Sequence, residues 1–172
     1  SALAIRWPSA FEVIVIDDRS TDETPRILEK ICDEDPRLTV KVGAEPKPGW
    51  LGKPHALHQA QQFATGQVLL FVDADVVLNT DGPMRTWQRM HACDTECASV
   101  LGELKTDSFF EHVIQPRLGA ILAGGNPLHE VNDPDHERVL ANGQFLIFKR
   151  STYEQIGGHN SIRDSVLDDV DI

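Results

Sequence analysis

The chain has 172 residues, of which 41% are hydrophobic and 25% are charged. These proportions are typical of one globular domain with a sizeable core, and they exclude disordered and collagen-like chains. Sixteen lysines and arginines against 27 aspartates and glutamates give a net charge of −11, which disfavours general nucleic-acid binding because such a surface repels phosphate backbones. An anionic ligand would therefore need a local basic patch or a bound cation.

The first part of the chain alternates continuous β-branched apolar runs, typical of strands buried on both faces, with amphipathic helical patterns. A stretch rich in glycine and proline at 43–54 is predicted to be a loop. The alternation predicts an α/β fold with a mainly parallel central sheet flanked by helices. The predicted elements are strands at 12–17, 38–42 and 67–72, a helix with Thr24 as N-cap that ends at Pro36, and a helix at 56–64.

The second part continues with weaker patterns and no repeat, so we expect a single domain over residues 1–172. The chain ends inside what reads as the start of a helix, which predicts an incomplete fragment. In the helix at 109–122, apolar residues at helical spacing predict a buried face: Phe109, Phe110, Ile114, Leu118, Ile121 and Leu122. The predicted elements are helices at 84–93 and 109–122, strands at 98–104 and 144–148, a loop at 126–137, and a helix at 152–156 closed by Gly157-Gly158.

Cysteine usage and hydropathy favour a cytoplasmic location. Three cysteines are too few for a disulfide framework. Cys93 and Cys97 are predicted to be buried on one helix face rather than to bind a metal, and Cys32 to be buried as well. No apolar run reaches the length of a membrane span, and the first residues lack the features of a signal peptide.

Carboxylates follow two of the predicted strands at their C-terminal ends. Asp17 and Asp18 follow the first, and Asp73 and Asp75 follow the third. Ligands bind outside the carboxyl ends of strands in open α/β sheets, so we expect these residues to meet at one edge. If the chain stays extended, Asp73 and Asp75 point the same way and hold Mg²⁺ or Mn²⁺ between them. The alternative is that these aspartates only cap turns.

Several motifs in order resemble family 2 glycosyltransferases of the GT-A fold, with the strongest likeness to lipid-modifying members linked to carotenoid and hopanoid pathways. The resemblance runs from Phe11 to Asp171, and it implies that the family's first strand and C-terminal part are absent from the chain. The motifs are Val15-Ile16-Asp17-Asp18-Arg19-Ser20-Thr21-Asp22, Gly49-Trp50-Leu51-Gly52-Lys53, Phe71-Val72-Asp73-Ala74-Asp75, Gly143-Gln144-Phe145, Ile156-Gly157-Gly158-His159 and Asp168-Asp169.

The resemblance implies transfer of a sugar, with inversion, from a nucleotide-diphosphate sugar to an acceptor hydroxyl. A UDP-sugar is the expected donor, and a lipid at the cytoplasmic membrane face is an expected acceptor of the full-length protein. Asp18, with Asp17 beside it, matches the aspartate that binds the nucleobase. Asp73 and Asp75 match the family's D-x-D motif, which implies that Asp73 lies near the ribose and metal and that Asp75 coordinates Mn²⁺ or Mg²⁺ on the diphosphate. Asp169 matches the general base, and Asp168 replaces the family's glutamate beside it.

For the other side chains near these motifs, the sequence leaves two interpretations open. Lys53 neutralises a phosphate or is a solvated loop charge, and Trp50 stacks on a base or anchors the loop. His55 and His58 lie one helical turn apart, and a surface pair is favoured over a metal pair because no third ligand follows. His159 lines the acceptor side or is a loop histidine hydrogen-bonded to backbone. The helix at 109–122 is expected to be core, with a membrane-facing role as the alternative.

Two rival functions fit part of the pattern. In a haloacid-dehalogenase-type phosphatase, Asp73 would attack phosphorus, Asp75 would act as acid and base, and Asp168-Asp169 would hold the metal. That fold normally opens with its nucleophile strand, whereas about seventy residues precede Asp73 here. A fragment that binds a nucleotide sugar without catalysis is the other rival.

Overall fold

The computed structural model describes residues 1–103, 105–106, 108–125, 128–133, 135 and 141–165. Strands and helices alternate through the first half, which confirms the α/β class. The elements are β1 (Val13–Asp17), α1 (Thr24–Glu34), β2 (Leu38–Val42), α2 (Gly52–Phe63), β3 (Val68–Val72), α3 (Gly82–Cys93), β4 (Cys97–Ser99), α4 (Phe109–Gly125), α5 (Leu128–Val131), β5 (Phe145–Lys149) and α6 (Arg150–Gln155), with 3₁₀ turns at Ala2–Ala4 and Gly158–Asn160.

The strands pair in two groups of different direction. β1 and β2 are parallel, with Val13 opposite Leu38 and Asp17 opposite Val42. β5 lies between β3 and β4 and is antiparallel to both. The expectation of a mainly parallel sheet is therefore correct for β1 and β2 and wrong for the pairs made by β5. A strand buried on both faces has the same apolar pattern in either direction, so the sequence carries no signal for this reversal.

The core lies on both faces of the group formed by β3, β5 and β4. Leu146 and Phe148 of β5 point to one face, where they pack with Leu69, Phe71 and Tyr153. Phe145 and Ile147 point to the other face, where they pack with Met90 beside Trp87. The two-residue alternation of a central strand thus supplies both halves of the core.

The helix boundaries differ from the predictions at three places. The N-cap of α1 is Glu23, one residue before Thr24. α2 begins at Gly52, inside the predicted loop, and Pro54 is accommodated because the first helical turn needs no intrahelical partner for its N–H groups. α5 lies inside the loop predicted at 126–137, and β4 covers only three residues. The shift of α2 brings Lys53 onto the first turn of a helix.

The prediction of a buried face on α4 is wrong for the side chains that the structure describes. Phe109 is 77% exposed, Phe110 73% and Ile114 51%. The side chains of Leu118, Ile121 and Leu122 lie outside the described part. Helical spacing indicates one apolar face but not what covers it.

The cysteine prediction is also wrong. Cys93 ends α3 and Cys97 begins β4, so they do not share a helix face, and both are exposed, whereas Cys32 is half-buried. Asp94, the first of the three residues between the two elements, has a left-handed backbone (φ 53°) that ends the helix. None of the helices in the described ranges is long and apolar enough to cross a membrane.

Candidate functional site

The carboxylate of Asp17 is turned back onto the loop that follows β1. It is buried, and its Oδ1 accepts a hydrogen bond from the amide of Ser20 at 3.0 Å. Its backbone carbonyl accepts from the amides of Arg19, at 2.7 Å, and Gly43, at 2.8 Å. Asp17 therefore stabilises the turn that presents the next residue, Asp18.

Asp18 reaches out of this turn toward the start of α2. Its Oδ1 forms an ion pair with Arg19 at 3.1 Å, and its side chain is 42% exposed. A Cβ atom at Gly52 would lie 3.6 Å from Oδ2, and one at Gly43 would lie 3.2 Å from Oδ1. The two glycines leave room for the carboxylate against the N-terminus of α2.

Asp73 directly follows β3 and pairs with the second residue of α2. Its amide donates to the carbonyl of Gln144 at 3.3 Å, so the Gly143-Gln144 segment predicted as a motif borders it. Its Oδ1 lies 3.0 Å from Nζ of Lys53, and its side chain is 30% exposed. Lys53 is thus paired with a carboxylate and is not simply a solvated loop charge.

The geometry of Asp75 differs from the extended arrangement expected. The amide of Val76 donates to the carbonyl of Asp73 at 3.1 Å, so the chain turns directly after β3 and the two-residue alternation of a strand does not apply. Asp75 is exposed and has neither an ion pair nor a hydrogen bond to the residues that the structure describes.

The start of α2 joins the two carboxylate groups. A Cβ atom at Gly52 would touch Asp18 and the adjacent Lys53 pairs with Asp73, so the residues that follow β1 and β3 both lie at the start of α2 although they are 55 positions apart. The N-terminus of a helix carries partial positive charge on its amide groups. A lysine and a helix N-terminus therefore lie between carboxylates, an arrangement suited to a ligand that combines phosphates with a cation.

The segment that follows α6 packs against α2. His159 is 1% exposed, and its amide donates to the hydroxyl of Tyr153 at 3.1 Å. That hydroxyl also lies 2.7 Å from Nδ1 of His159, within hydrogen-bond distance. Neither interpretation of His159 from the sequence anticipated this buried tyrosine partner, although the Gly157-Gly158 pair before it marks a tight turn.

Burial governs the ionisation of this pair. It lowers the pKa of His159 to about 4, and the positive charge of Lys53 contributes in the same direction. Burial also raises the pKa of Tyr153 to about 12. Both groups are therefore neutral at physiological pH, and His159 adds no charge beside Lys53.

Trp50 anchors the loop that precedes α2. Its ring centroid lies 5.3 Å from that of His55, edge to face, and 4.9 Å from that of His58. Gln59 and Gln62 bond the ring nitrogens of the two histidines at 3.0 Å each. The expected surface pair is wrong for His55, which is buried. Burial and the neighbouring charges of His55 and Lys47 lower the pKa of His58.

The donor set at this edge suits a cation that also binds substrate oxygens. Within the described ranges no group of three or more histidine, cysteine, aspartate or glutamate side chains is arranged to hold a metal ion. Asp73 and Asp75 offer one or two carboxylates, and Mg²⁺ and Mn²⁺ commonly take the remaining ligands from water and substrate phosphates. The residues thus fit a cation that binds together with a diphosphate.

Asp169, the expected general base, and its neighbour Asp168 both lie outside the described residues. The chain is described as far as Ser165, and the carbonyl of Arg163 accepts a hydrogen bond from the amide of Leu51 at 2.8 Å. Arg163, six residues before Asp169 in the sequence, is therefore held at the start of α2.

Comparison with known proteins identifies the class. The model of glycosyl transferase family 2 matches residues 1–157. The chain belongs to this family. The match includes Asp17, Asp18, Lys53, Asp73 and Asp75, and it removes the phosphatase alternative, which assigned Asp73 to another family.

Two curated relatives resemble the chain over most of its length, and a third resembles it over a shorter stretch. It is 26% identical over 185 residues to a beta-monoglucosyldiacylglycerol synthase of Nostoc sp. (strain PCC 7120), covering 98% of this chain and 35% of that protein. It is 26% identical over 159 residues to a 4,4'-diaponeurosporenoate glycosyltransferase of Staphylococcus aureus (strain USA300), covering 91% and 41% respectively. A poly(ribitol-phosphate) beta-N-acetylglucosaminyltransferase of S. aureus (strain Mu50) is 43% identical over 74 residues, which cover 41% of this chain and 12% of that enzyme. The chain spans about a third of the length of the first of these relatives.

Proposed function

We propose that the protein carrying this chain is an inverting glycosyltransferase that moves a sugar from a UDP-sugar to an acceptor hydroxyl. The observation that carries the proposal is the meeting of Asp18, Lys53 and Asp73 around the start of α2. Membership of glycosyl transferase family 2 supports the reaction class.

The donor is held from two sides in this proposal. Asp18, supported by Asp17, accepts hydrogen bonds from the nucleobase, and Lys53 binds the diphosphate with the amide groups at the start of α2. Asp73 and Asp75 hold Mn²⁺ or Mg²⁺. When bound, this ion stabilises the negative charge of the departing diphosphate by several kcal/mol, as an order of magnitude.

The acceptor is activated from the opposite side of the sugar. Its hydroxyl oxygen attacks the anomeric carbon as the bond to the diphosphate oxygen breaks, and its proton passes to Asp169, with Asp168 in a supporting role. A positioned base of this kind contributes roughly 10²–10⁴-fold to the rate. The hydrogen bond between Leu51 and Arg163 supports this assignment, because Arg163 precedes Asp169 by six residues and lies at the site.

A lipid acceptor at the cytoplasmic face of a membrane is the finer proposal. Two relatives are named for diacylglycerol and diaponeurosporenoate products or substrates. The first turns of α4 expose Phe109, Phe110 and Ile114, an apolar surface suited to the boundary between headgroups and acyl chains.

Calorimetric titration with UDP-sugars, with and without Mn²⁺, tests the donor site. We expect UDP-sugar binding that Mn²⁺ strengthens, and we expect Asp75→Ala to remove most of the Mn²⁺ effect because an exposed carboxylate ligand is lost. Asp33→Ala, which removes an exposed carboxylate on α1, is the matched control. Binding that is independent of Mn²⁺ and unchanged by Asp75→Ala would contradict the metal assignment. A panel of UDP-glucose, UDP-galactose, UDP-N-acetylglucosamine and GDP-mannose identifies the donor.

A further inference from the structure

The ion pair between Lys53 and Asp73 places an ammonium group on one of the two carboxylates assigned to the cation. Nζ lies 3.0 Å from Oδ1 of Asp73. We propose that Lys53 stands in for the divalent cation in the ligand-free protein and transfers to the diphosphate when the cation binds Asp73. This inference rests on the proposed function and adds an exchange of partners to it.

The charges at the site supply the reason for the pairing. Asp73 is partly buried, the carboxylate of Asp75 follows it by two residues, and Asp18, which is paired with Arg19, lies beside Gly52, the residue before Lys53. Like charges held close together repel each other, so the ligand-free site is more stable with a positive group at Asp73. Lys53 provides that group.

The same charges require the exchange. A divalent cation at Asp73 repels an ammonium group 3 Å away on the same oxygen, whereas the phosphates of the donor attract it. The cation and the nucleotide sugar therefore bind with positive coupling. The phosphates draw Lys53 away from Asp73 and so make room for the cation, and the cation in turn drives Lys53 toward the phosphates.

The structure allows Lys53 to move without moving its backbone. Lys53 is the second residue of α2, whose start is fixed by the bond between Leu51 and Arg163. Its side chain is 43% exposed and extends on a flexible four-carbon stem. Only side-chain torsions need to change.

The test measures cation and nucleotide separately in the full-length protein carrying Lys53→Met. The loss of the aqueous Mn²⁺ electron paramagnetic resonance signal reports Mn²⁺ binding, and calorimetry reports UDP binding. Without nucleotide, we expect Mn²⁺ to bind about two- to fivefold more tightly, the factor that corresponds to a partly exposed ion pair. In the presence of Mn²⁺, we expect UDP to bind about tenfold more weakly, because a charge-assisted bond to phosphate is lost. A purely structural lysine would weaken both.

Two further variants distinguish the direct contact between Lys53 and Asp73 from a general effect of nearby positive charge. Lys47 lies in the loop before α2 and forms no ion pair with the described residues. Lys47→Met therefore removes a positive charge without removing a contact to Asp73, and it should change Mn²⁺ affinity much less than Lys53→Met. Lys53→Arg keeps the charge on Asp73, so it should not tighten Mn²⁺ binding, and it also provides a measurement if Lys53→Met fails to fold.

Equal tightening in Lys47→Met and Lys53→Met, or unchanged or weaker Mn²⁺ binding in Lys53→Met, would overturn the exchange. Failure of the proposed function looks different, since the unmodified protein would then bind neither Mn²⁺ nor UDP.

Discussion

The amide of Leu51 donates a hydrogen bond to the carbonyl of Arg163 at 2.8 Å, and this bond ties the end of the described chain to the start of α2. The two residues are 112 positions apart. Because Gly52 and Lys53 follow Leu51 directly, the bond holds Arg163 beside the helix start that borders Asp18 and Asp73.

Asp169→Asn should abolish sugar transfer and leave donor binding intact. Asp169 follows Arg163 by six residues, a span of at most about 20 Å, so the start of α2 is within its reach. Loss of the base should lower the transfer rate by about 10²–10⁴-fold. Transfer assays together with calorimetric titration of UDP check both parts. Asp164→Asn, an exposed neighbour, is the control, and full turnover in Asp169→Asn would dismiss Asp169 as the base.

Gly158→Ala should destabilise the protein by about 3 kcal/mol. A Cβ atom at this position would lie 2.5 Å from the ring of Tyr153, and the backbone has a left-handed φ of 52°. Overpacking and an unfavourable backbone each cost on the order of 1–3 kcal/mol. Urea denaturation measures the change in free energy of unfolding.

Gly119→Ala is the opposite case and serves as the control. Gly119 lies within α4 with nothing within 4 Å of its Cβ position. The substitution should raise the free energy of unfolding by about 0.5–1 kcal/mol, because alanine loses less conformational freedom in a helix. Equal effects of the two substitutions would contradict the close approach between Gly158 and Tyr153.

His159 should make the protein less stable in acid. The pKa of its imidazole is about 4 in the folded protein and 6.5 ordinarily. Between pH 6.5 and pH 4, the unfolded chain therefore binds a proton at His159 that the folded protein does not. Stability is therefore complete above about pH 6.5 and falls as the pH drops toward 4, by at most about 3 kcal/mol. Urea denaturation across this range measures the slope.

The variant His159→Gln isolates this contribution. It should lower stability at pH 7, because the bond to Tyr153 is altered, and it should flatten the decline between pH 6.5 and 4. His112→Gln, which replaces an exposed histidine on α4, should keep the original slope. An unchanged slope in His159→Gln would show that other groups carry the acid sensitivity.

The exposed phenylalanines of α4 should support binding to lipid vesicles. Replacing both Phe109 and Phe110 by serine should weaken cosedimentation with phosphatidylcholine and diacylglycerol vesicles at least about tenfold, since each phenylalanine contributes on the order of 1.5–3 kcal/mol when buried. Ile27→Ser removes an exposed apolar side chain from α1 and is the control. Unchanged binding of the double variant would contradict a membrane-facing role.

The sequence determined the α/β class and the family because both depend on local patterns. Apolar runs at β1 and β3 and the residues that follow them are short, contiguous signals, and the position of Asp18 and Asp73 beyond strand ends follows from them. The start of α2 and the turn at Asp75 were missed, since Pro54 reads as a loop residue and an aspartate after a strand has no fixed backbone geometry.

Only the tertiary structure decided which way β5 runs, which faces of the helices are covered, and which partners Lys53 and His159 have. Pairing direction and burial depend on contacts between residues far apart in the chain, for which a buried strand or an amphipathic helix carries no local signal. Tyr153 and Asp73 acquire their partners for the same reason: neighbouring elements bring the groups within bonding distance.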